Sequence, residues 1–172
     1  MADYEIEIVG SYRRKAKTSG DIDVLIRVPN SVNSKTAKNN LALYVKALEE
    51  AGYIKEILAL GEHKCMAISK TDVVARRLDL LMTPDEEYAY ALLYFTGSDR
   101  FNVAFRQYAL DKGYSLNEHT LTKVRDGVKE VPYMDYEKDI FKFIGLRYIE
   151  PSKRIDSSQI IPLRSKPKVA QN

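Results

Sequence analysis

"GSYRRKAKTSGDIDVLI", residues 10–26, places Asp21 and Asp23 inside an apolar run that otherwise reads as a buried β-strand. Negative charge is costly there. Residues two apart on a strand project from one face, so the two carboxylates stand side by side and repel unless a cation holds them. A third carboxylate, Asp79 in "RRLDLLM", lies mid-strand among apolar neighbours in the same way. Three carboxylates converging from two strands form a hard oxygen site suited to Mg²⁺. Two such ions can activate an attacking oxygen and stabilise a leaving one in phosphoryl transfer. Arg13, Arg14, Lys15 and Lys17 precede the aspartates, so cations and anions gather at one place, as a metal-polyphosphate requires.

Length and composition narrow the rest. The 172 residues suffice for one domain or two small ones with a core of their own. A single cysteine, Cys65, excludes an intramolecular disulfide framework and fits a reducing compartment. The sequence shows neither a long apolar run nor a secretory leader, so a soluble, intracellular protein without membrane contact is expected. Net charge is +3, and the excess sits at the end: residues 153–172 carry five basic side chains and one acidic one.

Periodicity gives a coarse map. "YEIEIVG" alternates, with Tyr4, Ile6 and Ile8 on one side, and its strand ends at Gly10. Residues 21–28 make the next strand. "SKTAKNNLALYVKALEEAG" is a helix with Leu41, Tyr44, Val45 and Leu48 on one face, a cap at Ser34 and a stop at Gly52. "KEILAL", "KCMAIS" and "VVARRLDLLM" read as three further strands. From Pro84 the period becomes helical in "PDEEYAYALLYF" and "SDRFNVAFRQYALDKG", broken at Thr96 and Gly97, with Phe101, Phe105 and Tyr108 along one side of the second helix. A short strand and turn follow. A last helix in "DYEKDIFKFIG" is capped by Asp135 and stopped by Gly145. Residues 157–172 show no usable period and read as a flexible basic tail. The expected class is α+β: a mixed sheet with helices on one face over residues 1–83, then a small, mostly helical unit over 84–156.

Gly10-Ser11 stands at a strand end, where backbone N–H groups can turn toward an anion, and Ser19-Gly20 directly precedes Asp-x-Asp. With these pieces at these spacings, the stretch resembles the signature of the family X DNA polymerases, the DNA polymerase beta group of the nucleotidyltransferase superfamily. "LLYFTGSDRFNVAFRQYALDKGYSLNEHTL" is a more specific match, and "EKDIFKFIGLRYIEPSKR" resembles the family's C-terminal end. The resemblance covers roughly residues 4–156. It implies that Asp21, Asp23 and Asp79 hold two Mg²⁺ ions, with Mn²⁺ as a substitute, and that Asp79 accepts the primer 3′-OH proton. It also implies a triphosphate grip by Gly10, Ser11, Arg14, Ser19 and Gly20, and a sugar pocket of Tyr94, Phe95 and Gly97. Asp99 then packs on the base and Asn102 reaches its minor-groove edge. Arg77, Arg106, Glu118 and His119 face DNA, with the last two near a hinge that closes on nucleotide.

The implied activity is nucleotidyl transfer from a deoxynucleoside triphosphate to the primer end of gapped DNA, by a monomer filling short gaps in base excision repair. Another nucleotidyltransferase acting on RNA or a small acceptor would share Asp-x-Asp without needing "YFTGSD"; a non-catalytic DNA-binding fragment would keep the fold alone. The resemblance implies a minimal form like the smallest viral members, without an N-terminal lyase domain or helix-hairpin-helix clamps. Two positions depart from the pattern: Lys15 stands where many members have glycine, and Leu81 replaces an arginine used in an open-to-closed switch. Arg13 is expected to pair with Glu118 or Glu137, as a closure contact or as a surface ion pair of little energetic value. His63 and Cys65 have no partner pair for zinc, and Cys65 is expected to be buried and inert.

Overall fold

The computed structural model describes residues 4–17, 20–71 and 74–164. Strand β1 (Glu5–Ile8) and a single helical turn, α1 (Gly10–Arg13), lead into β2 (Asp21–Val28). Helix α2 (Ser34–Glu50) then crosses to β3 (Ile54–Leu60), β4 (Lys64–Thr71) and β5 (Val74–Pro84). These strands form one sheet in the order β1-β2-β5-β4-β3. All its pairings are antiparallel except β2 with β5, which run parallel in a register that sets Asp23 beside Asp79. A parallel pair needs a crossover connection, and α2 with the β3–β4 hairpin supplies it.

Helix α2 covers one face of the sheet. Its buried Ala37, Leu41 and Val45 recur every four residues and pack on Val24, Ile26, Cys65, Ala67, Leu78, Leu80 and Met82. Leu41 is fully enclosed, and truncating it to alanine is expected to cost about 2–5 kcal/mol. The cap is Asn33, whose Oδ1 accepts from Thr36 N at 2.8 Å, one residue before the Ser34 expected from sequence. Ile6 and Ile8 share the α2 side of the sheet, but they lie on the edge strand β1 and remain 49% and 37% exposed.

The opposite face carries the carboxylates and is only partly covered. After a 3₁₀ turn at Asp85–Glu87, helix α3 (Tyr88–Thr96) lies over Val9 and Leu25 through Tyr88 and Ala91. Its other side, through Ala89, Tyr90 and Leu93, enters a second core with Phe101, Phe105, Ile140, Phe141 and Ile144. Apolar on both sides, α3 belongs to two cores at once, which is why "YAYALLYF" shows so little amphipathic contrast. Around that second core stand α4 (Asp99–Asp111), the hairpin of β6 (Tyr114–Leu116) and β7 (Leu121–Lys123), and α5 (Glu137–Ile144). Ser98 caps α4 by accepting from Phe101 N at 3.2 Å. The N-cap of α5 is Tyr136, whose N–H donates to Asp139 at 3.0 Å, so Asp135 does not have the capping role read from sequence.

The expected tail is partly built into this second unit. Arg147 N donates to Ile161 O and Leu163 N to Gly145 O, both at 2.8 Å, and Ile160 packs against the core. Residues 165–172 lie outside the described residues. Arg154, which the sequence places among the terminal cations, is 1% exposed.

Candidate active site

Because side chains of one strand face repeat every second residue, the β2–β5 register dictates what meets what. On the face that α3 leaves partly open, Asp21 neighbours Arg77, Asp23 neighbours Asp79, and Leu25 neighbours Leu81. Strand β4 continues the rows with Ile68, Met66 and Lys64. Burial, then the negative charges of Asp79 and Asp21, push the Asp23 carboxyl above the usual aspartate range. Arg77 Nε donates to Asp79 Oδ1 at 3.0 Å and so balances one member of the cluster. Among the described residues no group of three or more His, Cys, Asp or Glu side chains is preassembled around a metal position. The three aspartates are neighbours and interact, but they are not closed into a cage. Cys65 is fully buried, with its thiol pushed up by burial and by Asp79.

A cleft of about 860 Å³ opens beside Asp21 and Asp23. One wall is Gly10, Ser11, Arg14 and Gly20, and the other is Tyr94, Phe95, Gly97, Asp99, Asn102 and Arg106. The structure therefore gathers most of the residues singled out in the sequence. Ser19 lies outside the described residues. Asp79 stands one strand over from Asp23 and does not itself line the cleft.

Two glycines are fixed by close approach. Gly10 has φ +65°, and a Cβ there would come within 3.3 Å of the Asp23 Oδ2 atom. At Gly97, φ is +69° and a Cβ would meet Arg14 Nη1 at 3.0 Å. Arg14 reaches this turn to donate to Thr96 O at 2.6 Å, and its side chain lines the cleft. The Tyr94 and Phe95 rings meet edge to face at 5.1 Å and form a stiff wall. Lys15 has φ +59°, the left-handed region that a glycine adopts without strain, so the departure noted in the sequence falls on a backbone that asks for glycine.

Helix α4 presents its polar edge as its spacing predicts. Asn102 is nearly buried and donates through Nδ2 to Tyr94 O at 2.7 Å, while Arg106 Nε donates to Asn102 O at 3.4 Å. The Asn102 amide is thus tied to the wall that Tyr94 and Phe95 form, a bond that sequence spacing does not reveal. Glu118 and His119 sit elsewhere, in a recess with Lys64, Leu81, Glu87 and Phe95, where His119 Nδ1 lies 2.5 Å from Glu87 Oε1.

Arg13 pairs with Glu137, not Glu118, and the contact is not superficial. Its Nη2 lies 2.6 Å from Glu137 Oε1, and its Nη1 donates to Thr96 Oγ1 at 2.7 Å. Glu137 is 4% exposed and also receives Arg154 Nη1 at 2.6 Å. The Arg154 guanidinium lies 5.3–5.9 Å from the Phe101, Phe141 and Tyr148 ring centroids, and its Nε donates to Ile149 O. Burial alone would raise the Glu137 carboxyl, yet the Arg13 hydrogen bond and the Arg154 charge hold it below the usual range. Sequence reasoning missed this role of Arg154, because a buried arginine and a terminal cation look alike in a charge count. It also missed Arg100 and Ile155, which line the cleft.

The chain matches the DNA polymerase beta palm family over residues 1–85 and the DNA polymerase beta thumb family over residues 91–155. It is 35% identical to DNA polymerase lambda of Rattus norvegicus across 84% of this chain, but spans only 28% of that protein's length. It is 31% identical to the repair DNA polymerase X of African swine fever virus across 87% of this chain and 81% of the viral protein. A solved ternary P/T complex of Leishmania infantum polymerase beta superposes with a TM-score of 0.76 at 30% identity, covering 89% of this chain and 68% of that one.

Proposed function

Because this chain belongs to the family X DNA polymerases, we propose that it adds deoxynucleotides to a primer 3′-OH and fills short gaps during DNA repair. The observation that carries the reading is the parallel register of Asp23 with Asp79 at the edge of a cleft whose other wall is α3 and α4. An acid pair placed side by side on a sheet is unfavourable for folding alone and favourable for holding cations.

Family X enzymes generally depend on divalent metal, and the donor set fits one. Asp21, Asp23 and Asp79 offer only hard oxygen atoms, and the Asp23 carboxyl, raised first by burial and then by the charges of Asp79 and Asp21, stands where a bound cation would offset those charges. These three residues would hold Mg²⁺, or Mn²⁺ in its place, which supplies charge neutralisation for the phosphoryl group and acidifies the attacking hydroxyl when bound. Asp79, oriented by Arg77 at its Oδ1 atom, takes the 3′-OH proton. Arg14 and Ser11 grip the β- and γ-phosphates, with Gly20 giving the backbone room to approach. Tyr94, Phe95 and Gly97 bound the sugar, where a side chain at Gly97 would push into Arg14. Asp99 packs on the base. Asn102 and Arg106 test pair shape at the minor-groove edge, whose acceptors stand at equivalent places in every correct pair.

Primer extension on gapped DNA with each deoxynucleotide tests the reading directly. Extension that requires Mg²⁺ or Mn²⁺ and a templating base is expected. Arg106→Ala should lower the efficiency of correct insertion more than that of mispairs. Equal loss for both would return α4 to a scaffold role, and absence of extension under all conditions would overturn the polymerase reading itself.

A further inference from the structure

Resting on that polymerase reading, we propose that Asp85 and Tyr133 are positioning residues for nucleotide selection: they clasp the loop before α5 to the sheet and so set how α3 and α4 stand over the carboxylates. Asp85 follows the last residue of β5 and lies three residues before α3. Its carboxylate is filled from three directions. Oδ1 accepts from Arg27 Nε at 2.6 Å, and Oδ2 accepts from Asn30 Nδ2 at 3.1 Å and from the Tyr133 hydroxyl. Arg27 lies on β2 four residues past Asp23, hence on the same sheet face, and its guanidinium stacks 4.9 Å from the Tyr88 ring centroid. One carboxylate therefore joins the strand of Asp21 and Asp23, the β2–α2 loop and a loop of the second unit.

The same loop is held a second time at the other end of α3. Tyr133 stands four residues before Glu137, and Glu137 meets Arg13, which also bonds Thr96 in the last turn of α3. The segment 133–137 is thus attached to the first unit beside the start of α3 and again beside its end. With one attachment the second unit could pivot about α3; with two, a pivot must break one of them. Among the described residues lining the cleft, Arg27, Asp85 and Tyr133 do not appear, so they can act on a nucleotide only through placement. The Tyr133 bond is the leading cause that lowers the Asp85 carboxyl, and the same bond raises the Tyr133 hydroxyl, consistent with a tyrosine proton donated to a carboxylate. Tyr133 is itself 52% exposed, so removing its hydroxyl leaves no buried void.

The test compares Tyr133→Phe and Asp85→Asn, singly and together, with Tyr136→Phe as a control from the same loop. Nucleotide KM for gap filling should rise roughly three- to tenfold in Tyr133→Phe, because the binding-competent placement is populated less, while kcat at saturation stays within about twofold. The double variant should be no worse than the more severe single one, since both remove one clasp. Amide exchange in the nucleotide-free protein should quicken across residues 85–97 and 131–137. Tyr136→Phe should change neither. Faster exchange with unchanged KM would make the clasp merely structural and overturn the positioning role, and unchanged exchange together with unchanged KM would overturn the clasp. If the parent protein extends no primer, the polymerase reading fails separately, and exchange alone still decides: quickening in Tyr133→Phe upholds the clasp, and parental exchange overturns it.

Discussion

Asp23 and Glu137 are both carboxylates withdrawn from water, one half-buried on the sheet and the other almost fully enclosed at the start of α5. Around Asp23 the nearest strand neighbour is another carboxylate, and Asp21 lies two residues away on the same face. Around Glu137 stand two arginines at 2.6 Å, one from each unit. Burial raises both acids, but the neighbours then push them in opposite directions, so Asp23 ends above its usual range and Glu137 below it. The first acid stands among like charges, where the proposed chemistry would bring cations. The second is balanced where two bodies of structure must hold together.

If that division is right, removing the two acids should have opposite signatures. Asp79→Asn or Asp23→Asn should reduce single-turnover extension about a thousandfold or more, since a ligand for transition-state charge is lost. The thermal midpoint should stay level or rise, because like charges no longer face each other. A variant that extends primers at the parental rate would remove that residue from the site. Glu137→Gln should do the reverse and lower unfolding free energy by about 3–5 kcal/mol in urea, because Arg154 and Arg13 lose their counter-charge in a dry setting. A loss below about 1 kcal/mol would mean that water reaches this network.

The acid limb of stability sharpens the same contrast. A carboxyl whose folded value is depressed binds fewer protons folded than unfolded, so its stabilisation is complete above about pH 4.3 and fades as pH falls through the folded value. Urea midpoints recorded from pH 6 downward should therefore fall more steeply for the parent than for Glu137→Gln. Parallel curves would show that Glu137 gains nothing from its arginines. The smallest expected effect lies at Lys15→Gly, which relieves the left-handed backbone before the Asp-x-Asp strand and should add about 1 kcal/mol of unfolding free energy.

Much of this was readable in the sequence, and what was not has physical reasons. Strand β2 spans residues 21–28 as its apolar run indicates, and Phe101 and Phe105 are buried as the helical period requires. Local pattern suffices for these because one burial preference dominates each position. The Asp23–Asp79 pairing was inferred from chemistry, since two misplaced carboxylates invite a common explanation. Arg154 and Asp85 escaped notice for the opposite reason. Their partners come from other elements, and nothing in the neighbouring sequence marks an arginine as buried or an aspartate as triply bonded. Ile6 and Ile8 show the same limit in reverse: alternation gave their face correctly, but how far an edge strand is covered is decided by the fold as a whole.

The parallel pairing of β2 with β5 also has a kinetic consequence. Asp23 and Asp79 meet through the pairing of β2 with β5, two strands that α2, β3 and β4 separate along the chain. Non-local pairing of this kind closes a long loop before it returns any contact energy, and it is slow compared with helix formation. A one-residue slip would turn Ile22 and Val24 to the face where the aspartates now stand, so partial assemblies have no usable site. During refolding, helical signal should therefore return before the ability to extend a primer, and the interval between them measures the time the chain takes to bring its mutually repelling carboxylates into register.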